Sequence, residues 1–194
     1  MLRDKSELVE LVRREGYSRR DVPFRLSSGE TSYDYVDGKR ALADGRVLAM
    51  VCETVISLAQ ELPVEFDAVG GPTMGADAIV HGVALLTGVH WFSVRKETKS
   101  HGKQKLIEGA ELSDRWQVLL VDDVVTTGSS MLKALAAVED AGAKIVLAVS
   151  LVDRGEAARG RFEAKGIPYE PLMTYRDLEM DPVGGIGHIK TASR

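Results

Sequence analysis

The chain has 194 residues, 44% hydrophobic and 28% charged, a balance that suits one globular domain with a buried core. Its net charge of −4 excludes a nucleic-acid binder that works through a basic surface, and its single cysteine, Cys52, excludes an internal disulfide framework. The first stretch, MLRDKSELVELVRREG, is charged throughout, unlike a signal peptide or an anchor, and no apolar run reaches the roughly 18–20 residues that span a bilayer, so the expected location is the cytoplasm.

Leu8, Leu11 and Val12 recur at helical spacing, and Gly16 can end that helix. FRLSSGETSYDYVDGK, residues 24–39, is rich in Ser, Gly and aromatics and predicts short strands and a turn. After Asp44, Leu48, Val51, Val55, Leu58 and Leu62 step by three and four until Pro63 stops them. From there the pattern alternates. Strands are expected at Phe66–Val69, His90–Val94, Val118–Val121, Ile145–Val152 and Tyr169–Met173, with helices at Ala76–Leu86, Ser130–Ala141 and Glu156–Lys165, the last two followed by Gly142 and Gly166. This is the pattern of an α/β domain whose mostly parallel, five-stranded sheet is flanked by helices and binds ligands beyond the carboxyl ends of its strands. The Gly-rich tail, residues 181–194, matches no pattern.

Four segments carry chemistry. In VLLVDDVVTTGSS, residues 118–130, an apolar strand runs into two adjacent acids, a small-residue turn and a helix. Such a turn lets backbone N–H groups converge with the positive end of the helix on a phosphate. Asp122 and Asp123 would repel a bare phosphate but suit a ligand that also carries hydroxyls and a divalent cation; the plainer alternative is a helix cap. VGGPTMGADA, residues 69–78, also joins a strand to a helix, and Gly70, Gly71 and Gly75 permit close approach to a ligand. In VRKETKSHGKQKLIEG, residues 94–109, the part from Arg95 to Lys105 holds Arg95, Lys96, Lys99, Lys103 and Lys105 against Glu97 alone, a local +4 that leaves −8 for the rest of the chain. That segment is either a solvated face or the cationic partner of a small, highly charged anion. Finally, Arg154 follows the long strand 145–152 at the ligand end of the sheet, where it can hold a carboxylate or pair with its neighbour Asp153.

Residues 118–130 closely resemble the signature of the type I phosphoribosyltransferases, and they lack the GxxxxGK[ST] spacing of a P-loop. The resemblance implies the type I fold with a small N-terminal hood. Asp122 and Asp123 would meet the ribose hydroxyls of phosphoribosyl pyrophosphate. Val124, Val125, Thr126, Thr127, Gly128, Ser129 and Ser130 would cradle its 5′-phosphate, and the loop with Gly71 its pyrophosphate. Arg95, Lys96, Lys99 and His101 fall on the Arg-Lys-x-x-Lys-x-His-Gly pattern of the mobile loop of orotate phosphoribosyltransferases in particular. Cations there stabilise the charge that grows on a departing pyrophosphate, with Lys99 as the first choice for that contact and His101 as a donor or simply a solvated side chain.

Residues 24–40 resemble the family's Phe-x-Leu-x-Ser-Gly hood, which implies that Ser28 and Tyr35 help hold the base; Arg154 and Thr126 match positions that contact orotate. Ser27 and Glu30 depart from the lysine and arginine frequent there. The implied division is one domain, with a hood over about 17–40, a core over about 44–180 and the tail. The implied enzyme makes orotidine 5′-phosphate in UMP biosynthesis. It uses Mg²⁺ held mainly by substrate and water with Asp122 and Asp123 as candidate ligands, and it works as a homodimer with shared sites and without nucleic-acid or membrane partners. A phosphoribosyltransferase for another base and a non-catalytic sensor of the donor are the alternatives.

Overall fold

The structure, a computed structural model, describes residues 5–26, 29–96 and 106–183. Helix α1 (Lys5–Gly16) buries Leu8 and Val12 and leads into an antiparallel hairpin of β1 (Tyr17–Arg25) and β2 (Thr31–Val36). A short helix, α2 (Gly38–Ala41), is capped by Asp37, whose side chain accepts from the Arg40 N–H. Asp44 likewise caps α3 (Gly45–Glu61), which turns Val47, Val51, Val55 and Ala59 inward at helical spacing.

The core alternates strand and helix: β3 (Ala68–Pro72), α4 (Asp77–Thr87), β4 (His90–Val94), β5 (Ile107–Gly109), β6 (Gln117–Val125), α5 (Ser129–Asp140), β7 (Lys144–Asp153), α6 (Ala157–Glu163) and β8 (Tyr169–Thr174). These strands form one sheet in the order β5-β4-β3-β6-β7-β8, parallel except for β5. Side chains along β6 alternate between two apolar layers. Leu119 and Val121 pack with α1, α3 and α4 on one face, while Val118 and Leu120 pack with α5 and α6 on the other. Burial on both faces explains why the strands read as continuous apolar runs.

All five expected strands are present, and Gly142 and Gly166 follow α5 and α6 with φ of 88° and 70°. Three differences are informative. The sheet has six described strands instead of five: Ile107–Gly109, read as part of a cationic loop, pairs antiparallel with β4. Three residues are too few to show a periodicity, so only the pairing reveals them. Strand β6 runs four residues beyond Val121, because β7 pairs alongside it through Val124↔Val152 and Val125↔Asp153. The two acids therefore sit on the strand itself. Helix α2 carries no apolar period and went unread. Residues 184–194 of the tail lie outside the described residues. No described helix is long and apolar enough to cross a membrane.

The order of strands creates the site. From β3 the chain proceeds outward to β4, and from β6 it proceeds the opposite way to β7. The loops leaving the carboxyl ends of these two central neighbours diverge and open a crevice between them. The pairing of β3 with β4 depends on a small residue. A Cβ on Gly70 would fall 2.3 Å from the Phe92 ring, which is fully buried. Gly70→Ala should therefore destabilise the fold by about 1–3 kcal/mol, as overpacking does. Urea unfolding measures it, and an unchanged midpoint would contradict this packing.

Candidate active site

Asp122 and Asp123 occupy the carboxyl end of β6, facing that crevice. Asp122 is only 6% exposed; its Oδ1 accepts the Asp123 N–H at 2.9 Å, and Asp123 Oδ1 accepts the Val124 N–H at 2.7 Å. Burial pushes both carboxyls above the ordinary carboxylate range. For Asp122 the adjacent charge of Asp123 adds to the shift, while Lys96 opposes it; Lys39 opposes the shift at Asp123. The pair is poised for partners that reward ionised oxygens, such as hydroxyl donors or a cation.

Two backbones crowd these acids. A Cβ on Gly75 would lie 2.3 Å from Asp123 Oδ1 and 3.1 Å from Asp122 Oδ1, and one on Gly38 would lie 2.7 Å from Asp123 Oδ2. The loop after β3 thus lies directly against the acids. Gly71 continues this packing, since a Cβ there would meet the Val121 carbonyl. The loop is tied down by Thr73 N–H to the Val94 carbonyl at 2.9 Å.

Beyond the acids the chain turns through Thr126, Thr127 and Gly128 into α5. Gly128 has φ of 76°, left-handed backbone that favours glycine, and its carbonyl accepts the Leu132 N–H. Thr127 Oγ1 and Ser129 Oγ are 2.8 Å apart. The turn lines a cleft of about 460 Å³ together with Asp122, Val124, Val125, Ser130 and the cations Lys96, Lys133 and Arg161. Arg161 reaches across from α6 to donate to Ser129 Oγ at 3.4 Å. Small polar side chains, a helix N-terminus and three cations are features whose chemistry suits a phosphate group.

The remaining candidates are distributed unevenly. Arg154 follows β7 and lies beneath the hood hairpin, 2% exposed. It bonds there to the hood; the neighbouring Asp153 carboxylate instead accepts the Gly155 N–H at 3.0 Å. Ser150, in register with Asp122 and fully buried, is hydrogen-bonded to the Tyr169 hydroxyl at 2.7 Å. Tyr35 is on the hairpin's other face, where its ring meets Phe24 edge-on and Arg20 lies 5.4 Å from the ring centroid. The structure does not bring it to the face of β2 that meets Arg154. Arg95 is paired with Glu108 of β5 at 2.6 Å. Ser27, Ser28, Lys99 and His101 lie outside the described residues.

Sequence reading missed Gly38, Lys39, Lys133 and Arg161. Lys39 had a usable signal, being a cation next to the hood motif; Arg161 had none, since an arginine on a surface helix is ordinary.

Among the described residues no three His, Cys, Asp or Glu side chains cluster to enclose a metal. The residues that are present fit a divalent cation in a different way. Two desolvated acids beside a phosphate cradle suit an ion carried largely by a polyanionic ligand and its waters.

The family model for the phosphoribosyl transferase domain matches residues 45–164. Orotate phosphoribosyltransferase of Mycobacterium tuberculosis (strain H37Rv) is 39% identical over 182 residues, which cover 92% of this chain and 98% of that protein. The orotate phosphoribosyltransferase of Pyrococcus abyssi is 37% identical over 174 residues, 90% of this chain and 94% of its own length. The crystal structure of the M. tuberculosis enzyme in complex with 5-phospho-α-D-ribosyl 1-diphosphate superposes with a TM-score of 0.75 at 36% identity, covering 92% of this chain and all of the other. By this domain match and these identities over nearly the whole of both chains, the protein belongs to the phosphoribosyltransferase family, among the orotate phosphoribosyltransferases.

Proposed function

We propose that this chain transfers the 5-phosphoribosyl group from phosphoribosyl pyrophosphate to orotate, giving orotidine 5′-phosphate and pyrophosphate, in the cytoplasmic synthesis of UMP. The observation that carries this reading is the contact of the Gly75 loop with the Asp122–Asp123 pair, next to the phosphate cleft. A ligand with a phosphate, a diol and a diphosphate on one ribose has each group met by a neighbouring element.

In this reading Thr126–Ser130 and the first turn of α5 hold the 5′-phosphate, with Arg161 and Lys133 adding charge. Asp122 and Asp123 accept hydrogen bonds from the ribose hydroxyls, which fixes C1′. The loop from Gly71 to Ala76 holds the diphosphate. Arg154 receives the carboxylate of orotate. As the C1′–O bond breaks, its electron pair leaves with pyrophosphate, and a C1′–N bond forms to the base nitrogen, whose proton is lost to the departing pyrophosphate or to solvent. Positive charge from Lys96, Lys99 and His101 over the leaving oxygens favours that step. A bound Mg²⁺ would neutralise the donor's diphosphate, and Asp122 and Asp123 are the residues that would meet it or its waters.

A homodimer with shared sites completes the reading. Leu85 and Leu86 at the end of α4 are 85% and 53% exposed, and His81, one turn earlier, packs edge-on against the 43% exposed Trp91. A patch of this kind supports a second copy as its cover.

The direct test follows orotate absorbance. It should fall when the donor and Mg²⁺ are added and should hold steady under excess chelator. Consumption of a different base, or donor binding without turnover, would replace this reading with one of its alternatives.

The buried acids make a separate prediction. An acid whose folded-state pKa lies above its unfolded value favours folding at low pH, and this contribution is lost as pH rises through that range. Asp122→Asn removes the cost of ionisation. It should raise Tm near neutral pH by about 2–4 °C, the shift for about 1 kcal/mol in a chain of this size. The gain should shrink as pH falls toward about 4. Donor affinity should drop roughly tenfold or more. A lowered Tm with donor binding intact would make Asp122 a structural residue.

Sharing of sites is tested by mixing two weakened variants, Lys99→Ala and Arg154→Ala. If the loop serves the neighbouring subunit, random exchange leaves about a quarter of all sites without a lesion, and activity returns in that proportion. No recovery, with exchange confirmed by a label, would place the loop in its own subunit's site.

A further inference from the structure

Strand β2 inverts the usual pattern of a half-buried strand. Tyr33 and Tyr35 face outward, while Ser32 and Asp34 point inward and are 8% and 2% exposed. Burying two polar side chains costs free energy unless each is fully bonded, so what they bond is informative.

Ser32 uses its hydroxyl completely. It donates to the Asp34 carbonyl at 3.1 Å and accepts from the Asp34 N–H at 3.0 Å and from Arg154 Nη2 at 3.1 Å. The same Nη2 donates to the Asp34 carbonyl at 2.6 Å. The Asp34 carboxylate in turn accepts from the Tyr17 hydroxyl and from Arg19 Nη1, both at 2.9 Å, which ties β2 to β1. At the other end of the contact, the Arg154 backbone is fixed by its N–H on the Val125 carbonyl at 2.7 Å and by the Val183 N–H on its own carbonyl at 2.8 Å. One atom is left over. Arg154 Nε is buried and has no hydrogen-bond partner among the described residues.

We propose that Ser32 and Asp34 are positioning residues for recognition of the base: the hood grips Arg154 through Nη2 and leaves Nε as an unspent donor for the substrate's carboxylate. This rests on the reading that Arg154 receives orotate. A guanidinium on a flexible stem loses rotamer entropy when it binds, and a grip made in advance removes that cost from the binding step. An unpartnered buried donor also discriminates, because a pyrimidine without a carboxylate leaves it unpaired. The hood then acts on specificity through Arg154 without itself touching the carboxylate.

The test compares Michaelis constants for the two substrates in the full-length protein. Ser32→Ala should raise KM for orotate about tenfold, the effect of losing one hydrogen bond to a charged group, and should leave KM for phosphoribosyl pyrophosphate where it was. Ser32→Thr keeps the hydroxyl and should restore the orotate value. The double variant Ser32→Ala/Arg154→Ala should bind orotate no worse than Arg154→Ala alone, since both lesions remove one function. If Ser32→Ala does not fold, Asp34→Asn keeps the strand's carbonyl, removes only the charge that anchors β2, and should give the same one-sided rise on a smaller scale. Equal rises for both substrates, a silent Ser32→Ala, or additive losses in the double variant would overturn the positioning role. Arg154→Ala with an unchanged orotate KM would instead refute the reading of Arg154. A large effect there beside a silent Ser32→Ala would refute the hood's role alone.

Discussion

Asp122 and Asp123 lie side by side on the last turn-ward residues of a central strand, deprived of most of their water and close enough to repel each other. Such a pair opposes folding at neutral pH, and several features around it are explained by the need to tolerate it. Their carboxylates accept backbone N–H groups from the next residues, and Lys39 and Lys96 bring positive charge from two separate segments. What those contacts leave unsatisfied is a ligand's to supply. A cost in stability at such a position is the usual relation between a functional site and its scaffold.

Placing the acids on a strand has a geometric consequence. The strand is held on both sides, by β3 and β7, so the carboxylates cannot move away from what approaches them. The loop after β3 approaches as closely as atoms allow, and it can do so only because Gly75 has no side chain. The same holds for α2 at Gly38. The acid pair, the Gly75 loop and the small-residue turn are thereby packed at spacings set by strand separation, about 4.8 Å between neighbours.

Charge is divided in the same way. The chain is acidic overall, at −4, yet the cleft over the phosphate turn collects Lys96, Lys133 and Arg161 from three different elements. The hood contributes a different arrangement: the buried guanidinium of Arg154 donates to the Ser32 hydroxyl and the Asp34 carbonyl, while the buried Asp34 carboxylate accepts from Tyr17 and Arg19. Burial lowers the pKa of that guanidinium and the charge of Asp34 counters the shift. Fixed dipoles and charges of this kind cost reorganisation during folding and none during the reaction.

The amino-acid sequence by itself determined the features whose cause is local. A strand, two acids, a small-residue turn and a helix are contiguous in residues 118–130, so this strand–turn–helix unit is legible without any knowledge of the rest of the chain. The parallel sheet follows from five apolar runs separated by helical periods, and Arg154 follows from its place after the longest run. The tertiary structure alone decided which distant residues meet. The edge strand Ile107–Gly109 is too short to carry a period and exists through its pairing with β4. Gly38 and Lys39 face Asp123, and Arg161 faces Ser129, only because helices fold across the sheet. Alternation along β2 is evident from the sequence, but not which face turns inward: the aromatic rings look like the buried side until Arg154, 122 positions away, supplies partners for Ser32. A side chain's local pattern sets what it can bond, whereas burial depends on what the chain brings over it from elsewhere.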